Sequence, residues 1–197
     1  MRQLILASSS PYRKSLLERL NLPFDCIAAD IDESPSDDEG AENLALRLAT
    51  EKAHAVAADH PIAIVIGSDQ VAELELIAGS QDNPLLGKPG NHQRAIEQLT
   101  AQSGRTVNFY TAVAVVDHNT LTTTVDVTKV QFRHLQQEEI EHYLKVDTPY
   151  NCAGSFKAES LGITLFESVI SNDPTSLIGL PLIKLSQILR DKNIKAR

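Results

Sequence analysis

Tryptophan is absent, methionine occurs once and cysteine twice, and aromatic residues make up 5% of the 197 residues. The two cysteines, Cys26 and Cys152, lie far apart and form no CxxC or Cys/His ligand pattern, so neither a disulfide framework nor a zinc site is indicated. A reduced, cytoplasmic protein is the expectation. Basic residues are in deficit, 18 Lys+Arg against 26 Asp+Glu, a net charge of −8. Bulk attraction to nucleic acid is thereby excluded, and any anionic ligand must be met by a few placed basic groups and a cation. Long apolar runs are also missing. Leu4 to Ala7 is far shorter than a signal-peptide core, and no later run approaches the ~18 residues of a membrane span. No internal repeat, low-complexity tract, Walker A motif, GxSxG elbow or His-Glu zinc spacing occurs.

What is present alternates. Gln3 to Ser8 reads as a buried strand, and Ser8-Ser9-Ser10-Pro11 starts a helix with Ser10 as its cap and Pro11 at the first helical position. Phe24 to Ala29 reads as a second strand, and acidic residues cluster from Asp30 to Glu42. A helical pattern follows from Ala41 to Ala58. The β-branched run Ile62 to Ile66 reads as a strand covered on both faces, with Gly67-Ser68-Asp69-Gln70 at its end. Gly79 to Gly90 reads as a mobile loop and His92 to Gln102 as a helix. Val107 to Val116 and Thr122 to Phe132 form a long hairpin turning at Asp117-His118-Asn119. Gln136 to Lys145 is an amphipathic helix, Ile163 to Val169 a strand and Pro181 to Asp191 a closing helix. The class is α/β, with a mixed twisted sheet and a site expected at the strand ends.

Several residues suit phosphate chemistry. A strand feeding a helix start presents unpaired N–H groups, and Ser8 and Arg13 flank that start, although a Ser-Pro beginning alone is an ordinary cap. Lys52 and Lys88 are single lysines, the second held between Gly87 and Pro89 in a loop. Asp69 directly follows a buried apolar run, so its carboxylate is either paired, capping a turn or working. Asp30, Asp32 and Glu33 supply oxygen donors of the kind that hold Mg²⁺ or Mn²⁺ jointly with a substrate's phosphates, whereas Asp37 to Glu39 read as a solvated loop. In Cys152 to Glu159, glycine, serine and Lys157 suit phosphates and Glu159 suits the hydrogen-bonding edge of a base.

Taken in order, Ser8 to Arg13, Asp32-Glu33, Glu51-Lys52-Ala53, Gly67-Ser68-Asp69, Gly87-Lys88-Pro89, Ala153 to Glu159 and Gly179 to Leu182 resemble the Maf family of nucleotide pyrophosphatases over nearly the whole chain. The resemblance implies a single Maf-like domain over residues 1–197 of the Maf/ITPase type, with two lobes around a deep nucleotide cleft. It implies a cytoplasmic enzyme, a hydrolase acting on acid anhydrides, that releases pyrophosphate from a nucleoside triphosphate. A divalent cation (Mg²⁺ or Mn²⁺) is implied as cofactor, and a homodimer as the assembly; neither nucleic acid nor membrane is implied as a partner. It makes Asp69 the general base and, with Glu33, a metal ligand. Ser8, Arg13, Lys52 and Lys88 become phosphate-binding, with Lys157 a further position.

Base choice falls on Tyr12, Gln70 and Glu159, a set that resembles the branch of the family directed at 7-methyl-GTP. Gly154 to Lys157 and His134 resemble the same branch. N7 methylation leaves guanine cationic, an aromatic face attracts such a ring, and a carboxylate accepts from the N1–H and N2–H₂ donors. Uracil and thymine offer only one such donor. The alternatives are a dTTP/UTP pyrophosphatase and a non-catalytic nucleotide-binding regulator of cell division. The Gly79 to Leu86 loop is longer than the family pattern before Gly87-Lys88.

Overall fold

The computed structural model describes residues 2–75 and 84–194. Its helices are α1 (Pro11–Glu18), α2 (Ala41–Asp59), α3 (His92–Gln102), α4 (Gln137–Asp147) and α5 (Leu182–Asp191). The strands are β1 (Leu4–Leu6), β2 (Asp25–Cys26), β3 (Ile64–Leu74), β4 (Leu85–Leu86), β5 (Thr106–Asp117), β6 (Thr120–Phe132) and β7 (Phe166–Ile170). They hydrogen-bond in the order β2-β1-β3-β5-β6-β7, with β4 also paired to β3. β1 is parallel to β2 and β3, whereas β4 runs antiparallel to β3 and β7 antiparallel to β6, so the sheet is mixed as expected. Among the described residues no helix is long and apolar enough to cross a membrane.

The chain divides into two compact units. The first comprises Met1–Gln70, Tyr110–Asp126 and Asp173–Arg197. Its core joins Leu4 and Leu6 of β1, Leu16 and Leu17 of α1, Ile64 and Ile66 of β3, Val113 and Val115 of β5, and Leu185 and Leu189 of α5. Ser10 caps α1, its hydroxyl accepting the Arg13 N–H at 3.4 Å with Pro11 following. The second unit comprises Val71–Phe109 and Val127–Asn172. Phe109, Phe132, Phe156 and Phe166 pack edge-to-face there, with ring centroids 4.9–5.6 Å apart.

Four expectations need correction. The strand after Pro61 does not stop at Ile66: Ile62 is exposed, and β3 runs on to Leu74, so Asp69 lies within a strand rather than at its end. The polar run reads as a stop, yet Ser68 is satisfied by donating to the Ala112 and Gly179 carbonyls at 2.8 and 3.1 Å, which lets the strand continue. The second strand shrinks from Phe24–Ala29 to two exposed residues. The strand expected from Ile163 starts at Phe166, because Leu161–Leu165 form a 3₁₀ turn. In that turn the Gly162 N–H donates to Asp147 (3.2 Å), and a Cβ at Gly162 would strike the Lys157 carbonyl. Of the expected Gly79 to Gly90 loop, residues 79–83 lie outside the described residues, and Leu85–Leu86 is strand rather than loop. The hairpin forms as expected, with His118 left-handed (φ 52°) at its turn.

Candidate active site

In the first unit, α2 lies against β3 closely enough that a Cβ on Gly67 would come within 2.7 Å of the Ala53 amide nitrogen. Only glycine permits that approach. It brings Lys52, one residue before Ala53, over Asp69, and the Lys52 ammonium donates to Asp69 Oδ1 at 2.6 Å. The same ammonium reaches Glu33 Oε1 at 2.5 Å. Arg13 adds a second cation, with Nη2 3.8 Å from Asp69 Oδ1. Side-chain exposure is 8% for Lys52 and 11% for Asp69 but 52% for Glu33, so the Lys–Asp pair is withdrawn from water while Glu33 faces it. A carboxylate so buried requires paired charge, and Lys52 and Arg13 supply it.

Arg13 is itself held. Its Nε donates to the Gly179 carbonyl at 3.0 Å, the same oxygen that accepts Ser68. Gly179 has φ 124°, outside the range comfortable for other residues, and this turn aims its carbonyl. The turn is anchored in its own right. Asp173 accepts the Thr175 N–H (3.0 Å) and hydroxyl (2.6 Å), and also the Ile183 N–H (2.6 Å) at the start of α5. Ser8, buried between β1 and α1, accepts the Ser10 N–H at 3.1 Å, so its hydroxyl oxygen shapes the turn into the helix. Sequence reasoning missed Ser68 and Asp173 and gave Gly179 no role. Their traces were the Gly67-Ser68-Asp69 and Gly179 to Leu182 motifs, in which two of them sit, and the turn composition of Asn172-Asp173-Pro174.

Glu33 is positioned by a neighbour. Arg47 of α2 grips Glu39 through two contacts of 2.8 Å and donates to the Ser34 carbonyl at 2.9 Å, pinning the segment that carries Glu33. Asp32 accepts the Ser34 N–H at 2.9 Å, which holds its carboxyl below the usual range. Glu39 is therefore not the solvated charge that its sequence suggested. Hydrogen bonds from Arg47, then from the Ser36 N–H, lower its carboxyl from 4.5 to about 2. With the folded value depressed, the stabilising contribution is complete above 4.5 and is lost as pH falls through about 2. Thermal melts of wild type and Glu39→Gln should thus differ most above pH 4.5 and converge toward pH 2. A constant difference across that window would contradict the pairing.

The residues assigned to base choice divide between the units. Tyr12, on α1, is half-buried in the first. Gln70 follows Asp69 on β3 and donates its amide to the Ser176 carbonyl (2.9 Å), Thr111 Oγ1 (3.0 Å) and the Leu177 carbonyl (3.2 Å), so its nitrogen is committed to protein. Glu159 is exposed in the second unit, which also carries Lys88. Lys157 is already engaged by the protein through one of its three donors. Its ammonium donates to the Asp147 carbonyl at the end of α4, at 2.7 Å.

Described residues offer no group of three or more His, Cys, Asp or Glu side chains that would hold a metal ion. What they offer is two carboxylates, Glu33 and Asp69, converging on one ammonium. That pair of hard oxygen donors fits a magnesium-like ion whose remaining ligands come from water and a phosphate-bearing ligand.

Fold and site together define an α/β protein with a buried acid–base centre on the second buried strand of a mixed sheet. The fold is shared with a HAM1 protein from Coxiella burnetii (TM-score 0.53, 15% identity, 97% of this chain and 100% of that one) and the Staphylococcus aureus Ham1 protein (TM-score 0.55, 14% identity, the same coverages). Within that class the chain belongs to the Maf family, whose Maf-like protein model matches residues 3–192. Relatives include 7-methyl-GTP pyrophosphatases of Albidiferax ferrireducens, 50% identical over 98% of this chain and 95% of that one, and of Xanthomonas axonopodis pv. citri, 52% identical over 96% of each.

Proposed function

We propose that the protein is a pyrophosphatase that hydrolyses 7-methyl-GTP to 7-methyl-GMP and pyrophosphate, acting as one Maf-like domain over its whole length. The observation that carries the chemistry is the buried Asp69–Lys52 pair, flanked by Arg13 and Glu33. The substrate reading draws on the relatives named 7-methyl-GTP pyrophosphatase.

Asp69 takes a proton from water as the water oxygen bonds to the α-phosphorus, and the bond from that phosphorus to the bridging oxygen of pyrophosphate breaks. Lys52 and Arg13 keep the carboxylate oriented and face the charge that develops on phosphate. Ser8 and the helix start beyond it, with Lys88, complete the phosphate contacts. Lys52 and Arg13 are balanced by Asp69 and Glu33, so the four groups carry no surplus positive charge against a triphosphate. Glu33 and Asp69 would hold a divalent ion, Mg²⁺ or Mn²⁺, which when bound would supply the missing positive charge and polarise water. Tyr12 offers its ring to the cationic methylated base, Gln70 shapes the wall behind it, and Glu159 accepts from N1–H and N2–H₂.

Pyrophosphate release is measured from 7-methyl-GTP, GTP, dTTP and UTP, each with Mg²⁺, Mn²⁺ or chelator. Turnover is expected to be greatest on 7-methyl-GTP and abolished by chelator. Glu159→Gln should lower the preference over UTP about tenfold, the worth of one well-placed bidentate pair. Preference for dTTP or UTP would overturn the base assignment but leave the chemistry standing. Tight binding without turnover under any condition would overturn both.

A further inference from the structure

Lys88 and Glu159 sit on separate segments of the second unit, and one side chain between them touches both segments. Gln98, half-buried on α3, donates from Nε2 to the Gly87 carbonyl at 3.1 Å. That carbonyl belongs to the peptide linking Gly87 to Lys88, so the contact fixes the backbone from which Lys88 extends. The other end of the same amide, Oε1, accepts the Ser155 hydroxyl at 2.5 Å.

Ser155 is wholly buried and left-handed (φ 64°), directly after Gly154 (φ 74°). A non-glycine residue in that conformation persists only where its surroundings impose it. Here two glutamines on neighbouring turns of α3 impose it: Gln98 on the Ser155 hydroxyl and Gln102, which donates to the Gly154 carbonyl at 2.9 Å. The chain then runs through Phe156 to Glu159 with little latitude. The Lys157 N–H donates to the Tyr143 hydroxyl (2.9 Å), and Ser160 and Gly162 donate to the Asp147 carboxylate (2.6 and 3.2 Å).

An unbranched amide of this length is suited to the task, since it donates to a carbonyl with one end and accepts a hydroxyl with the other. We propose that Gln98 is a positioning residue that sets the Lys88 segment against the Glu159 segment, so that phosphates and base of one nucleotide are met together. This rests on the roles given to Lys88 and Glu159 above and adds the element that couples them.

The test is steady-state kinetics of the full chain on 7-methyl-GTP and UTP, for Gln98→Glu, Ser155→Ala, Lys88→Ala, Glu159→Gln and their pairs. Gln98→Glu keeps an acceptor for Ser155 but turns a carboxylate oxygen toward the Gly87 carbonyl. It should raise KM about tenfold on both nucleotides, with kcat moving less, and add nothing further in the Lys88→Ala background. Ser155→Ala should cut the preference for 7-methyl-GTP about tenfold and add nothing further in the Glu159→Gln background. Should Ser155→Ala fail to fold, the Gln98→Glu cycle decides alone.

A lowered melting temperature with KM and preference unchanged overturns the proposal, since that is what a merely structural glutamine would give. A KM rise that persists in full without Lys88 overturns it as well, since it marks general charge repulsion. If Lys88→Ala and Glu159→Gln are themselves silent, the roles assigned to those two residues have failed and the positioning role falls with them.

Discussion

Asp69→Asn is expected to lower kcat for pyrophosphate release about a thousandfold, within the range that a positioned general base contributes, while KM changes little. The amide keeps an oxygen to accept the Lys52 ammonium, which Asp69 now does at 2.6 Å, but it has no basic oxygen to take a proton from water. Lys52 also retains Glu33, so it is not left as an unpaired buried charge. Stability should therefore fall by about 1–2 kcal/mol, the scale of a weakened charged hydrogen bond, rather than the 3–5 of a buried ion pair with one partner removed. Parallel melts and single-turnover assays separate the two effects. Near-wild-type kcat in a folded Asp69→Asn protein would remove Asp69 as the base. A thousandfold loss accompanied by collapse of the melting transition would instead assign Asp69 to the fold.

That substitution bears on how far the sequence could be read. The limits of α2 to α5 came out within a residue or two, and Ser10-Pro11 placed the start of α1, because helical spacing and a Ser-Pro cap are local signals that act where they stand. The hairpin was equally plain from its Val- and Thr-rich runs. The extent of β3 was not legible, since Gly67-Ser68-Asp69-Gln70 has the composition of a turn and becomes strand only through partners far along the chain. Ser68 finds the carbonyls of Ala112 and Gly179, and Gln70 finds those of Ser176 and Leu177. The same distance in sequence hid the support for Arg13, which depends on a carbonyl 166 residues away. Carbonyl groups carry no residue signature, so contacts to them leave no pattern to find. Glu39 was misread for a related reason: an acidic run looks solvated until the next helix returns an arginine, eight residues on, to it. The catalytic candidates themselves were legible because side-chain chemistry, unlike backbone support, is written in residue type.

Gly67→Ala should be the most damaging single-methyl change in the first unit, for fold and catalysis together. The added Cβ would overlap the Ala49 carbonyl oxygen and stand 2.7 Å from the Ala53 nitrogen and 3.0 Å from its Cβ. The first two neighbours are backbone atoms of a 19-residue helix, so no rotamer change relieves the overlap and α2 must retreat from β3 as a body. Overpacking of this kind costs about 3 kcal/mol, visible as a lowered urea midpoint with little change in slope. Lys52 moves with the helix, and its contact with Asp69, short at 2.6 Å, is lost early in any retreat. A misplacement near 1 Å at reacting groups costs about a hundredfold in rate, so kcat should fall by that order even where the protein remains folded. Gly40→Ala, at a position with open space and φ −67°, is the internal control and should leave both quantities near wild type. Ala53→Gly should not rescue Gly67→Ala, since it removes only the most distant of the three contacts and leaves the two backbone clashes in place. Rescue by that second substitution, or wild-type midpoint and rate for Gly67→Ala alone, would mean that the helix is not held against the strand by the missing side chain, and that Lys52 reaches Asp69 for some other reason.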